Sequence, residues 1–151
     1  MSAEGRTSLI FHIATPRLAR REIRAFAQRV AAEVANGRGF CCLITDDPEL
    51  RRLNREFRKK DSATDVLAFP VRAADPPGFL GEIAISYDRA VQQAADYGIA
   101  VEHEIQILML HAVLHLLGMD HETDHGQMAR AEGKWRATLG LPGGLIERAR
   151  A

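Results

Sequence analysis

Cysteine is scarce in this chain, and the little there is cannot build a scaffold. Cys41 and Cys42 are the only two in 151 residues. Neighbours in a strand point to opposite faces, so the pair suits core packing better than a mutual disulfide or a shared metal. Long apolar runs are missing as well. Residues 105–117 form an apolar stretch too short to span a bilayer, interrupted by Gln106 and two histidines, and the N-terminus has no signal-peptide apolar core. These absences predict a cytoplasmic protein with no membrane contact. Net charge is absent too: 20 basic residues balance 20 acidic ones, which removes any global sign of a polyanionic partner.

What is present is ordinary for a soluble globular domain. Hydrophobic residues make up 46% and charged residues 26%, which excludes disorder. The length suits one domain, 1–151, with a real core, and there is no repeat, low-complexity tract or second-domain boundary. Charge is unevenly spread. Residues 1–60 carry 13 Lys/Arg against 7 Asp/Glu, a balance of +6, and the remainder carries −6. Such asymmetry can mark a nucleic-acid face, although solvated helix surfaces account for most charge runs.

Along the chain, Ser8 to Ile13 reads as a strand and Thr15-Pro16 as a helix start, with Ile23, Phe26, Ala27, Val30 and Val34 at helical spacing up to Asn36-Gly37. Phe40 to Thr45 is a second strand. Asp47-Pro48 caps a second helix with Leu50, Leu53 and Phe57 on its buried stripe. A polar loop, 58–64, leads to a strand over 66–70, and a further strand covers Phe79 to Ser86. Helices follow from Asp88 to Tyr97, Val101 to Leu117 and Asp124 to Leu139. The order predicts an α+β fold: a single domain with a small mixed sheet packed by helices, and a central buried helix that carries histidines.

Those histidines are the chain's sharpest signal. His111 and His115 are four apart, so a helix puts them on one face. Gly118 can then end the helix in a left-handed turn and bring His121 back towards them. Three imidazoles and a water make a catalytic zinc site, whereas structural zinc takes four protein ligands. The expectation is one Zn²⁺ per chain on His111, His115 and His121; nickel, copper and iron also accept imidazole. The spacing H-x3-H-x2-G-x2-H resembles that of metzincin peptidases, in which a glutamate follows the first histidine as general base. Here that position is Ala112, which cannot accept a proton. Of the other histidines, His125 suits a surface role, His103 lies two turns too early, and His12 is structural.

Three stretches carry a wider resemblance. They are Leu53-Asn54-Arg55-Glu56-Phe57-Arg58-Lys59-Lys60-Asp61 running into Thr64-Asp65-Val66-Leu67-Ala68-Phe69-Pro70, then Leu80-Gly81-Glu82-Ile83, then the histidine segment ending Gly118-Met119-Asp120-His121. In order and spacing, from about Asp46 to Trp135, the chain resembles the YbeY family of rRNA maturation factors, metal-dependent endoribonucleases specific for single strands. Departures are Ala112 where glycine is usual, Met119 where tyrosine is common and Ala68 where serine is usual.

The resemblance implies zinc on His111, His115 and His121 and a functionally required arginine at Arg58. It also implies action at the 3′ end of small-subunit (16S) ribosomal RNA and in ribosome quality control, with the small ribosomal subunit and assembly proteins as partners. Arg58 would stabilise charge on a phosphate through paired hydrogen bonds. Asp120 adjoins a ligand and could act as base or orient an imidazole, Glu82 sits in a strand facing either the site or solvent, and no general base is assigned between them. The segment Arg51-Arg52, Arg55, Arg58-Lys59-Lys60 could track a phosphate backbone or simply form a solvated helix face. Few aromatics accompany it, so base stacking is not an evident mode of recognition. Two rivals stand beside the nuclease reading: a zinc metallopeptidase of metzincin-like geometry, and a non-enzymatic ribosome-assembly factor with a structural metal.

Overall fold

The elements run β1 (Ser8–Phe11), α1 (Arg20–Glu33), β2 (Gly39–Thr45), α2 (Asp47–Arg58), β3 (Val66–Pro70), β4 (Phe79–Ser86), α3 (Tyr87–Tyr97), α4 (Val101–Leu116) and α5 (Gln127–Leu139). The computed structural model describes residues 6–72, 75, 77–120 and 122–142. The sheet has strand order β1-β2-β4-β3, with β1, β2 and β4 parallel and β3 antiparallel on the edge. This is the mixed sheet of an α+β domain that the element order predicts.

Strand β2 sits between β1 and β4 and alternates cleanly. Phe40, Cys42 and Ile44 are fully buried against the main helical core, while Cys41 and Leu43 lie on the other face, partly exposed. Both cysteines are free thiols. Burial, and then the neighbouring Cys41, push the Cys42 thiol far above its ordinary range, so it packs as an inert apolar group.

Helix α4 is the centre of the core. Every residue from Glu104 to Leu114 is buried. Its one deeply buried acid, Glu104, accepts a hydrogen bond from Gln93 Nε2 at 2.6 Å. No single described helix is long and apolar enough to cross a membrane.

Besides shifts of one residue at β2, α3 and α4, four boundaries differ from the sequence pattern for a local reason. Strand β1 ends at Phe11 rather than Ile13, though the His12 N–H still donates to the Ile44 carbonyl at 2.9 Å. Helix α1 starts at Arg20, not at Thr15-Pro16. Those residues instead open a turn in which the Leu18 N–H donates to the Thr15 carbonyl and Arg17 takes φ 65°, so proline serves the turn. The N-cap of α2 is Asp46, whose side chain accepts from the Glu49 N–H at 3.0 Å. Helix α5 starts at Gln127, because the Asp124 side chain accepts from the N–H groups of both Gly126 and Met128 at 2.8 Å and holds the preceding turn.

Gly81 sets how closely β3 and the end of α4 approach β4. Its φ is +147°, and a Cβ there would collide with the Phe69 carbonyl oxygen and come within 2.9 Å of Leu116 Cδ2. The glycine thus lets the last turn of α4, which carries His115, lie against the sheet.

Candidate metal centre

His111 and His115 project from one face of α4, with ring centroids 4.9 Å apart and planes at 76°. The helix ends as the spacing predicts. Gly118 takes φ 96°, its N–H donates to the His115 carbonyl, and the Met119 N–H donates to the Leu114 carbonyl, which together form a Schellman cap. The chain then turns at Asp120, where the Thr123 and Asp124 N–H groups both donate to its carbonyl. His121, the third expected ligand, lies outside the described residues. Among the described residues no group of three metal-binding side chains converges.

The described pair nevertheless fits a metal. His111 Nδ1 lies 2.8 Å from Glu132 Oε2, and both residues are buried, at 8% and 2% exposure. A carboxylate oxygen can only accept, so Nδ1 carries the proton and Nε2 is the nitrogen that would ligate a metal. A histidine backed by a carboxylate in this way is the usual support of a metal ligand, because it locks both tautomer and ring orientation. Sequence reasoning missed Glu132. It stands on α5, four residues after the buried Met128, and only docking of that helix turns its carboxylate inward.

Arg58, 53 positions before His111, lines the same cleft. The cleft has a volume of about 830 Å³ and also takes in Lys60, Asp65 and Asp120. Arg58 is the last residue of α2, and Lys59 follows in a left-handed conformation with φ 60°. The buried Asn54 anchors this turn: its Nδ2 donates to the Ser62 carbonyl at 3.0 Å, and its carbonyl accepts from the Lys60 N–H at 3.2 Å.

The basic segment divides in two. Arg51 pairs with Asp61 at 2.8 Å, Arg52 with Glu49 at 2.7 Å, and Arg55 lies 3.8 Å from Asp61. Hydrogen bonding from Arg51 holds the Asp61 carboxyl below its ordinary range, and Arg52 does the same to Glu49. Among the described residues, Arg58, Lys59 and Lys60 have no such acidic partner. Among the described residues the first half of the segment is therefore a self-neutralised helix face, and its end, Arg58 and Lys60, presents unpaired charge to the cleft.

The carboxylates left open in the sequence also separate. Asp120 lines the cleft, with Oδ1 accepting from the Glu122 N–H at 3.1 Å. Glu82 is exposed and lines a second groove of about 580 Å³ on the outer face of the sheet, together with His12. His125 is exposed and its N–H donates to Gln127 Oε1, as a surface residue's would.

Comparison with known proteins agrees with this architecture. The family model described as Endoribonuclease YbeY matches residues 12–140. Endoribonuclease YbeY of Solibacter usitatus is 57% identical over 148 residues, covering 98% of each chain. The protein of that name from Nautilia profundicola is 50% identical over 107 residues, 70% of this chain and 76% of its own length. The one from Koribacter versatilis is 52% identical over 106 residues, 70% of this chain and 68% of its own. In fold, the chain is similar to the solution structure of TM1509 from Thermotoga maritima, with TM-score 0.57 and 22% identity over 87% of this chain and 93% of that one. From the matched model and a relative that parallels it over nearly its whole length, this chain belongs to the YbeY endoribonuclease family.

Proposed function

We propose that residues 1–151 act as one hydrolase domain that cleaves phosphodiester bonds of single-stranded RNA, using a zinc ion held by His111, His115 and His121. One observation carries the reading: Arg58, from the end of α2, lines the same cleft as His111 and His115 of α4. When bound, zinc supplies Lewis acidity towards a phosphoryl oxygen and lowers the pKa of water to about 7. The chain's own groups do the rest. Glu132 holds His111 in one tautomer and one orientation, so no ring reorganisation accompanies the reaction. The planar guanidinium of Arg58 pairs with two oxygens of the phosphate and stabilises the charge that builds there. Lys60 adds a second cation to the cleft wall.

The substrate on this reading is the 3′ region of small-subunit ribosomal RNA, met on the small ribosomal subunit in the cytoplasm beside ribosome-assembly proteins. Ala112 lines the cleft where a metzincin peptidase carries its glutamate, which opposes peptide hydrolysis by that route. The test is cleavage of a labelled single-stranded RNA by metal-analysed protein, beside chelated protein and folded His115→Ala and Arg58→Ala variants. Cleavage by the metal-loaded wild type alone supports the reading. Equal cleavage by all four preparations marks a contaminant, and silence from all four, on free RNA and on immature small subunits alike, sinks the reading in favour of a non-enzymatic assembly factor.

A further inference from the structure

An aromatic ring stands beside Arg58 where helical spacing predicts a buried one. Phe57 shares the apolar stripe of α2 with Leu50 and Leu53, and Leu50 is fully buried, yet Phe57 is 57% exposed. At this last turn its ring meets Phe69 in a T-shaped contact with centroids 5.6 Å apart, yet most of it stays open to solvent. Burying a phenylalanine stabilises a fold, so a large ring left open in a cleft wall forgoes stability.

Its position supplies a reason. Phe57 lines both the histidine cleft and the groove on the outer sheet face, so it forms part of the ridge between them. Next to it in the cleft wall are Arg58 and Lys60, cations without an acidic partner among the described residues. A flat apolar ring adjoining unpaired cations matches a ligand that alternates flat rings with anionic links. Single-stranded nucleic acid is such a ligand, and a duplex is not, because its bases are stacked inside. An apolar peptide would leave the cations unmatched.

Resting on the nuclease reading above, we propose that Phe57 is a base-stacking residue: a nucleobase of single-stranded RNA packs on its ring while the neighbouring phosphate meets Arg58. Stacking then sets which phosphodiester enters the histidine cleft and selects unpaired strands.

The test is a double-mutant cycle on binding, run with metal-loaded protein and a cleavage-resistant 2′-O-methyl RNA carrying 2-aminopurine. Wild type, Phe57→Leu and Phe57→Trp are each titrated with the RNA and with versions lacking one base at successive positions. Leucine keeps an apolar contact with Phe69, and equal unfolding midpoints show that the fold is retained. Wild type should quench 2-aminopurine at one position and lose about tenfold in affinity when that base is removed. Phe57→Leu should bind about tenfold more weakly, lose the quench and be indifferent to the missing base, and Phe57→Trp should restore both. In cleavage of ordinary RNA, the loss in Phe57→Leu should fall on KM more than on kcat.

Equal sensitivity of wild type and Phe57→Leu to the missing base overturns the proposal, even if the enzyme cuts RNA. Position-dependent quenching by a wild type that cuts no RNA would support stacking while removing the nuclease reading. Failure of wild type to bind RNA at all overturns both.

Discussion

Helix α4 is buried along eleven of its sixteen residues, whereas α2 buries only Leu50 and Asn54 of its twelve. Both contribute to one cleft, from opposite kinds of ground. On α4 the histidines rise from close-packed core, and His111 is held from behind by a buried carboxylate of α5. On α2 the contributing groups, Phe57 and Arg58, sit exposed at a helix end, held by the Asn54 bonds to the following turn and by the contact of Phe57 with Phe69. On the function proposed above, the difference follows the task of each. A metal needs ligands fixed to within tenths of an ångström, which close packing provides. A long, flexible polyanion is met by groups that solvent can reach and that keep some freedom to follow it.

The comparison breaks most decisively at Arg58. Arg58→Ala should lower kcat by about 100- to 1000-fold and leave the thermal unfolding midpoint where it was. Arg58→Lys should recover little, because a point charge cannot pair with two oxygens at once. A drop in the unfolding midpoint would mean that the exposed end of α2 is structural after all.

Next comes the support of the buried side. Glu132→Gln keeps the size of the side chain but removes the charge that fixes the His111 proton, and metal affinity should fall about 10- to 100-fold. Competition with a chromophoric chelator measures it, and an unchanged affinity would strip α5 of any part in the site.

Gly81→Ala tests the contact that seats α4 on the sheet. The strain of a non-glycine residue at this φ, about 1–3 kcal/mol, adds to the collision with Phe69 and Leu116. Urea unfolding should show the loss, and an unaltered midpoint would mean that the strand yields without cost.

The smallest effect belongs to the paired face of α2. Arg51→Ala should move neither RNA cleavage nor the unfolding midpoint appreciably at pH 7, since the Arg51–Asp61 pair is exposed on both sides. Its trace should appear only in acid. The Asp61 carboxyl is held down in the folded state by Arg51, so its contribution is present above the unfolded value of about 4 and is lost as pH falls through the lower folded one. An acid titration of stability should therefore flatten slightly in the variant. A large loss of cleavage at neutral pH would instead place Arg51 among the groups that hold RNA.

Features that depend on near neighbours in the chain could be read directly. The i, i+4 histidines, the Gly118 turn, the opposite facing of Cys41 and Cys42 and the apolar length of α4 follow from backbone geometry that acts over a few residues. The missed boundaries are also local, but there a second local device competed. Pro16 can open either a helix or a turn, and Asp124 caps from outside the helix rather than starting it.

Contacts across the fold were not legible in this way. Nothing in the spacing of α5 says that Glu132 meets His111, 21 positions away, rather than solvent. Nothing along α2 says that its apolar stripe stays open at Phe57, or that Arg51 and Arg52 find carboxylates while Arg58 finds none among the described residues. By itself the sequence determined the elements, their rough order of burial and the pairing of two imidazoles on one helix face, because these arise from periodicity. Only the tertiary structure decided which carboxylate backs His111, which cations remain unpaired and which ring stays exposed. Those outcomes depend on how helices dock on a sheet, and docking is set by packing that no single segment contains.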